Sequence, residues 1–409
     1  MPKATHAIGE PDAFLPDSTS DVNDVPRLSR FHDYSDRYVD KNIEWVDPYL
    51  EELTELAFDY LGVTSAFELI NRKRTTSIDF DNPATRKLCE DNPGVRNWLS
   101  TIPTALSLEL LTNQDDPPIG TTWSEPTKVL GRNCADGIGV RARESVAGDV
   151  LQDEISRVAN TNRSPKILSL ACGAARAVIQ VASRHRQNGI VTDLSLVDTD
   201  WQSLGRAREL ARKEGQQIQV FRRNIVDLEG FQRYHTLNQS SVALMISDLK
   251  TLHLPNYGHL PNLDVITPGS YDIVDVLGFF EYLKNVETFP FHYDKVFGNR
   301  GELMQAGAPR FLSMAWEMVQ PGGVLLIGNM NRSNSRTGQP RKQLGVTLGV
   351  IQWPHIQPRD EPEVLDILQS ATTLELVDRR TIQSITVHKT ITCDTEDDIY
   401  NIYEFRKSE

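Results

Sequence analysis

The stretch "ILSLACGAARAVIQV", residues 167–181, decides how the rest of the chain is read. An apolar run of strand type stops at a turn of small residues around Gly173, and a helical pattern starts at once. The runs "KILSLA", "LSLVD", "QIQVF", "YDIVDVLG" and "GVLLIGNM" follow the same strand pattern downstream. Between the first four lie the helix led by Gly and Ala, the helical stretch "WQSLGRARELARKEG" and a loop-rich passage at 229–270. A further helical stretch around 300–319 precedes the fifth. This alternation predicts parallel strands joined by crossover helices, hence an open α/β sheet. In "LELVDRRTIQSITVHKTIT" and "DDIYNIYEFRK" two or three strand runs are joined by an acidic turn. No helix separates the last ones, which predicts a closing antiparallel pair.

Upstream the pattern is helical throughout. In "WVDPYLEELTELAFDYLG", Asp47 can cap a helix, Pro48 suits its first turn, and Gly62 stops it. "SAFE" at 65–68 has the form of a capping box, and "DNP" at 81–83 and 91–93 each predicts a short helix start. "GIGVRARESVAGDVLQDEISRVA" predicts a helix with Val146, Val150, Leu151, Ile155 and Val158 inward. The expected organisation is a flexible tail over 1–28, a helical region over 29–160 and the α/β domain over 161–409, with "NTNRSP" as the linker.

Composition narrows the function. The 409 residues carry a net charge of −13, which argues against a surface built for nucleic-acid phosphates. Four scattered cysteines, with no CxxC pair and no His at metal spacing, predict free thiols and no metal site. The N-terminus lacks an apolar signal core, and no apolar run reaches the ~20 residues that span a bilayer. These features together predict a cytoplasmic protein.

In open parallel sheets, ligands bind outside the C-terminal strand ends where strand order reverses. Gly173 bares the backbone there, and unpaired N–H groups of the following helix favour an anionic group. Such a turn also arises from packing alone. Asp198 ends the second strand, 25 residues after Gly173, and suits a ribose diol. Asp200 suits either the ligand or the cap of the helix at Trp201. Asn224 follows the third strand, as a purine-edge contact or an ordinary turn residue.

Together, "ILSLACGAAR", "SLVDTDWQSLGRARELA", "RRNIVDL", "YDIVDVLGFFEYL" and "PGGVLLIGNM" resemble the ordered motifs of class I S-adenosylmethionine-dependent methyltransferases over about 166–406. The resemblance implies a Rossmann-like α/β sheet, mostly parallel with an antiparallel C-terminal strand, after the all-helical N-terminal region. It implies S-adenosylmethionine as cofactor, with the methionine part at Ala171, Cys172, Gly173 and Ala174. The ribose maps to Asp198, with Thr199 and Asp200 beside it, and the adenine to Asn224 and Ile225. The sulfonium and acceptor map to Leu277, Gly278 and Phe279, and the family's Pro-Gly-Gly turn to Pro321, Gly322 and Gly323.

The resemblance departs at the turn. The family usually has two or three glycines with an acid before them, and Ala171, Ala174 and Ala175 stand in those places. Ala serves where φ stays negative, and the carboxylate contact to the cofactor's amino group then has to come from elsewhere.

Methyl transfer needs in-line alignment and exclusion of water, with a base only where the acceptor loses a proton. The candidate catalytic residues are Glu281 and His292, with Tyr282, His253 and His355 in similar loop positions. Glu281 could equally be a solvated helix residue. Arg359 in "WPHIQPR" could serve an acceptor pocket or simple loop packing, and the aromatics of "GFFEYLKNVETFPFHY" a pocket wall or the core. Arg141 and Arg143 suit either the cofactor carboxylate or surface ion pairs. The predicted acceptor is a small molecule, with no nucleic acid and no membrane as partner. The competing readings are a nicotinamide-dependent oxidoreductase, whose pyrophosphate glycine loop "CGAARA" lacks, and a non-catalytic scaffold of the same fold.

Overall fold

The computed structural model describes residues 44–72, 77–102, 104–112, 123–222, 266, 268–286, 288–292, 302–333, 344–373, 387–392 and 400–408. The expected tail over 1–28 lies outside them, as does the loop-rich passage up to residue 265.

The N-terminal elements are helical, as their spacing predicts. Helix α1 (Val46–Leu61) buries Val46, Leu50, Leu53 and Ala57 and ends at Gly62 in the left-handed conformation, φ 62°. Its cap is Trp45, and Asp47 lies inside the first turn, where a carboxylate favours the helix dipole. Helix α2 (Ala66–Asn71) starts at Ser65 without a side-chain cap bond. The box is displaced by one residue, because Glu68 reaches the N–H and hydroxyl of Thr64 instead. Asn82 caps α3 (Pro83–Asp91) by accepting from the Ala84 N–H at 3.0 Å. The second "DNP" only precedes a helix: α4 (Val95–Leu99) begins after Gly94 at φ 96°. Helices α5 (Ala105–Thr112), α6 (Glu125–Asn133) and the long α7 (Ala135–Ala159) complete the region.

Parallel strands then alternate with helices: β1 (Lys166–Leu170), α8 (Arg176–Gln187), β2 (Asp193–Asp198), α9 (Trp201–Lys213) and β3 (Gln219–Arg222). After them come β4 (Tyr271–Val276), a hairpin of β5 (Thr288–His292) and β6 (Glu302–Ala306), then α10 (Ala308–Met318), β7 (Val319–Met330), α11 (Glu361–Thr373), β8 (Val387–Thr392) and β9 (Tyr400–Arg406). The sheet order is β3-β2-β1-β4-β7-β9-β8. Strands β1 to β4 and β7 pair in parallel, and β9 runs antiparallel to both of its neighbours. This is a Rossmann-like open α/β sheet, with the expected antiparallel C-terminal strand.

Both faces are covered, which explains why the strands read as apolar runs rather than alternating ones. Ile167, Ile273, Val324 and Leu326 share a core with α7, α8 and α9. Leu168, Leu170, Val274, Val276, Leu325 and Ile327 share the other core with α10 and α11. The first core runs without a break into the N-terminal helices, through Leu53, Trp98 and Leu151.

Two expectations shift. Residues 302–306 form β6, antiparallel to β5, so the helix expected around 300–319 is shortened to α10. Its start is set by Gly307 and by Pro309 within the first turn, a position where a missing N–H costs nothing. Strand β7 starts at Val319, before the Pro-Gly-Gly turn rather than after it. Gly322, at φ 74°, makes a kink inside the strand, and a β-carbon on Gly323 would lie 2.8 Å from the Asp272 carbonyl. The register against β4 shifts there accordingly.

After β7 the chain forms a π-helical turn at Val346–Val350 that docks on the N-terminal helices. Asn82 Nδ2 donates to the Gly349 carbonyl at 2.9 Å, and Thr85 Oγ1 to that of Val350 at 2.6 Å. Gln352 binds the N–H and carbonyl of Asp79 and the Thr85 hydroxyl. The N-terminal region is thereby tied to the segment that follows β7.

Candidate cofactor and active site

Strand order reverses between β1 and β4, so the crevice lies between the turns that follow them. The first turn is strained. Ala171, Gly173 and Ala175 all have positive φ, at 48°, 55° and 52°. The alanines therefore do not keep negative φ: two of the three adopt the conformation that glycine usually supplies, at about 1–2 kcal/mol each. Three hydrogen bonds hold them there. Cys172 N–H donates to the Val197 carbonyl at 3.1 Å and Ala175 N–H to the Cys172 carbonyl at 2.8 Å. Gly173 N–H donates to Asp198 Oδ2 at 2.8 Å. Ala175 is the cap residue of α8 and has no capping side chain, so side-chain capping does not occupy the first-turn N–H groups. The Cys172 thiol is pushed well above the usual range by burial, with Asp198 and Asp275 nearby adding to it.

Asp198 is the last residue of β2 and 9 % exposed. Its Oδ1 accepts from the Asp200 N–H at 2.8 Å. Burial raises its pKa, opposed by the bonds from Asp200 and Gly173. The Thr199 N–H adds to the donors that favour its charged form. Asp200 is the cap of α9: its carboxylate accepts from the N–H groups of Gln202 and Ser203 at 3.1 and 3.2 Å and from the Ser203 hydroxyl. Thr199 lies between them, partly exposed. Asn224 and Ile225 lie outside the described residues.

The second turn carries Leu277, Gly278 and Phe279. Arg143 of α7 closes over it, since a β-carbon on Gly278 would lie 3.3 Å from the Arg143 guanidinium. Glu281 sits on a single 3-10 turn, Phe280–Tyr282, and is 2 % exposed, so the solvated reading is wrong. Arg143 Nη1 lies 3.2 Å from Glu281 Oε1, and the same guanidinium stacks 4.5 Å over the Tyr400 ring. Glu281 Oε2 has no partner among the described residues. Burial raises the Glu281 pKa against the pull of Arg143.

Arg141 and Arg143 are both buried, which corrects the surface-pair alternative. Arg141 donates to the carbonyls of Leu111 and Arg132, near the C-terminal ends of α5 and α6. Arg359, 1 % exposed, is a brace for the second turn and not an acceptor contact. It donates to the carbonyls of Phe280 and Leu283 and to Asn285 Oδ1, and burial lowers its pKa to about 10. Trp353 donates to the Tyr282 hydroxyl at 2.7 Å and meets Trp98 edge-on. His355 is exposed, at φ 61°. The backbone of His292 ends β5 opposite Glu302, in the hairpin apart from the main sheet; its side chain lies outside the described residues, as does all of His253. Phe279 and Phe280 pack into the core beside α10.

Two features escape motif reading. Glu109 of α5 accepts from Arg176 and Arg206 at 2.7 Å each, tying the N-terminal region to the helices after β1 and β2. Asp275 is buried in β4, two residues before the second turn. An acidic residue between the apolar Val274 and Val276 was the available signal.

No protein-family model and no curated protein matches this chain. Solved structures do. A possible exported protein from Bordetella parapertussis is 13 % identical over 89 % of this chain and 97 % of that one, with a TM-score of 0.50. An O-methyltransferase family protein from Burkholderia thailandensis is 16 % identical, over 70 % of this chain and 61 % of that one, TM-score 0.38. A SAM-dependent methyltransferase from Aquifex aeolicus is 12 % identical, over 65 % and 97 %, TM-score 0.31. At these identities the likeness is one of fold. Among the described residues, no helix is long and apolar enough to cross a membrane.

Proposed function

We propose that this chain is an S-adenosylmethionine-dependent methyltransferase acting on a nucleophilic atom of a small-molecule acceptor. The observation that carries the reading is the buried Asp198 carboxylate bonded to Gly173, at the place where strand order reverses. A carboxylate at the end of β2 is an acceptor of the kind a ribose diol needs. The bare Gly173 backbone and the uncapped start of α8 fit the amino-acid end of the cofactor. With fewer glycines and no phosphate to bind, the turn suits a sulfonium nucleoside better than a dinucleotide.

When bound, the cofactor supplies a methyl group already activated by its sulfonium. The residues of the chain then align, enclose and neutralise. Leu277, Gly278 and Phe279 border the transfer site, and Arg143 closes it from the N-terminal side. The N-terminal helices act as a lid or acceptor platform, because α7 reaches the second turn and α3 docks on the 346–353 segment, whose Trp353 binds Tyr282. Glu281 is the candidate proton acceptor: a buried carboxylate with one oxygen on Arg143 and the other unpaired is poised by its raised pKa. His292 is the second candidate. The net charge of −13 favours a small acceptor over nucleic acid, and the free thiols of Cys89, Cys134 and Cys172 fit a cytoplasmic setting.

Calorimetric titration with S-adenosylmethionine, S-adenosylhomocysteine and NAD tests this. The reading expects binding of the first two and not the third, lost in Asp198→Ala. Binding of NAD would instead support an oxidoreductase, and binding of none a scaffold.

A further inference from the structure

The one bond Asp275 makes to Ser169 does not account for a carboxylate between Val274 and Val276. Asp275 is 4 % exposed, at the centre of the sheet. Its Oδ1 accepts from the hydroxyl of Ser169 at 2.8 Å, its register partner on β1. Its Oδ2 has no hydrogen-bond partner among the described residues. Burial and the Ser169 bond dominate its electrostatics, and no described cation offsets them. Its field reaches Cys172 in the turn after β1, while two residues further along its own strand the turn after β4 begins. The carboxylate thus stands between the two turns that bound the crevice.

A buried, half-satisfied carboxylate is worse for folding than an apolar residue of similar volume. A cation with N–H donors would satisfy that oxygen. We propose that the free oxygen of Asp275 receives the α-ammonium of the cofactor's amino-acid end, so that β4 supplies the carboxylate contact that the turn after β1 lacks. The inference rests on the adenosylmethionine reading. That cofactor carries two cationic centres, and only the ammonium has N–H groups to donate. Ser169 is the positioning residue, since its hydroxyl fixes one oxygen and leaves the other turned to the ligand.

The test compares two ligands on the full-length protein by calorimetry: S-adenosylhomocysteine, and 5′-methylthioadenosine, which keeps the nucleoside and sulfur but lacks the amino-acid end. Asp275→Asn is expected to weaken S-adenosylhomocysteine about 10- to 100-fold and leave methylthioadenosine within about twofold. Ser169→Ala, a milder change, is expected to weaken the first ligand about 3- to 10-fold and spare the second. Equal losses for both ligands, or no loss for the first, would overturn the assignment. Failure of the wild-type protein to bind either ligand would instead remove the adenosylmethionine reading, and this proposal with it.

Discussion

The carboxylate of Asp198 accepts a hydrogen bond from the backbone N–H of Gly173 at 2.8 Å, joining the end of β2 to the turn after β1. Its other oxygen holds the Asp200 N–H. One side chain thus shapes both the ribose side and the amino-acid side of the proposed site. Asp198→Asn puts an amide donor against a backbone donor and leaves a buried N–H unsatisfied. The expected result is a loss of about 1–3 kcal/mol in denaturant unfolding and at least about 100-fold weaker S-adenosylhomocysteine binding. Unchanged affinity would show that the ribose lies elsewhere.

The strain in the turn is testable separately. Ala175, at φ 52°, forms the entry to α8. Ala175→Gly relieves the left-handed penalty but loosens the unfolded chain, and the two nearly offset. A change between about 0 and +1 kcal/mol in stability is expected. Ala175→Val should destabilise by about 2 kcal/mol or more, because a β-branched residue resists this region. A Val variant as stable as wild type would mean that the turn is free to relax.

Arg143 and Glu281 form a buried pair 3.2 Å apart. Arg143→Met removes the cation bonded to the buried Glu281 carboxylate, leaving only the more distant Arg359, and should cost about 3 kcal/mol. Adding Glu281→Gln should recover much of that loss, and a thermodynamic cycle from chemical denaturation measures the coupling. Additive effects would show that the two side chains act independently. If Glu281 also takes the acceptor's proton, Glu281→Gln alone lowers kcat while cofactor affinity holds.

Burial raises the Asp275 pKa from the ordinary aspartate value near 4 to about 7. The unfolded chain therefore gives up this proton near pH 4, whereas the folded protein keeps it until about pH 7. Between those values the folded state binds more protons, so its stability falls as pH rises and then levels off. Removing the group in Asp275→Asn should abolish that part of the slope, up to roughly 4 kcal/mol across the window. Asp198, Glu144 and Glu281 have raised values too, so the difference between variant and wild type is the informative curve. Parallel curves would place the Asp275 titration outside this range.

Much of this architecture is legible in the sequence, because strands buried on both faces and amphipathic helices leave different periods. Gly173 and Asp198 could be paired from their strand ends alone. Other features depend on contacts between distant segments. The β5–β6 hairpin is separated from the main sheet and mimics a helix start before Gly307. Asp200 could not be divided between ligand and cap until Gln202 and Ser203 were seen to bind it. Arg359 in "WPHIQPR" resembles a ligand anchor, yet its donors meet carbonyls more than 70 residues away. The Ser169–Asp275 pair spans two strands, and only sheet register brings it together.

The central claim is that one crevice, floored by Gly173 and flanked by Asp198, grips a sulfonium nucleoside. A crystal structure of the protein with S-adenosylhomocysteine tests it most directly. The account predicts both ribose hydroxyls within hydrogen-bond distance of Asp198 and the amino-acid end over residues 171–174. A nucleoside bound elsewhere, or an Asp198 carboxylate that contacts only N–H groups of its own chain, would contradict it.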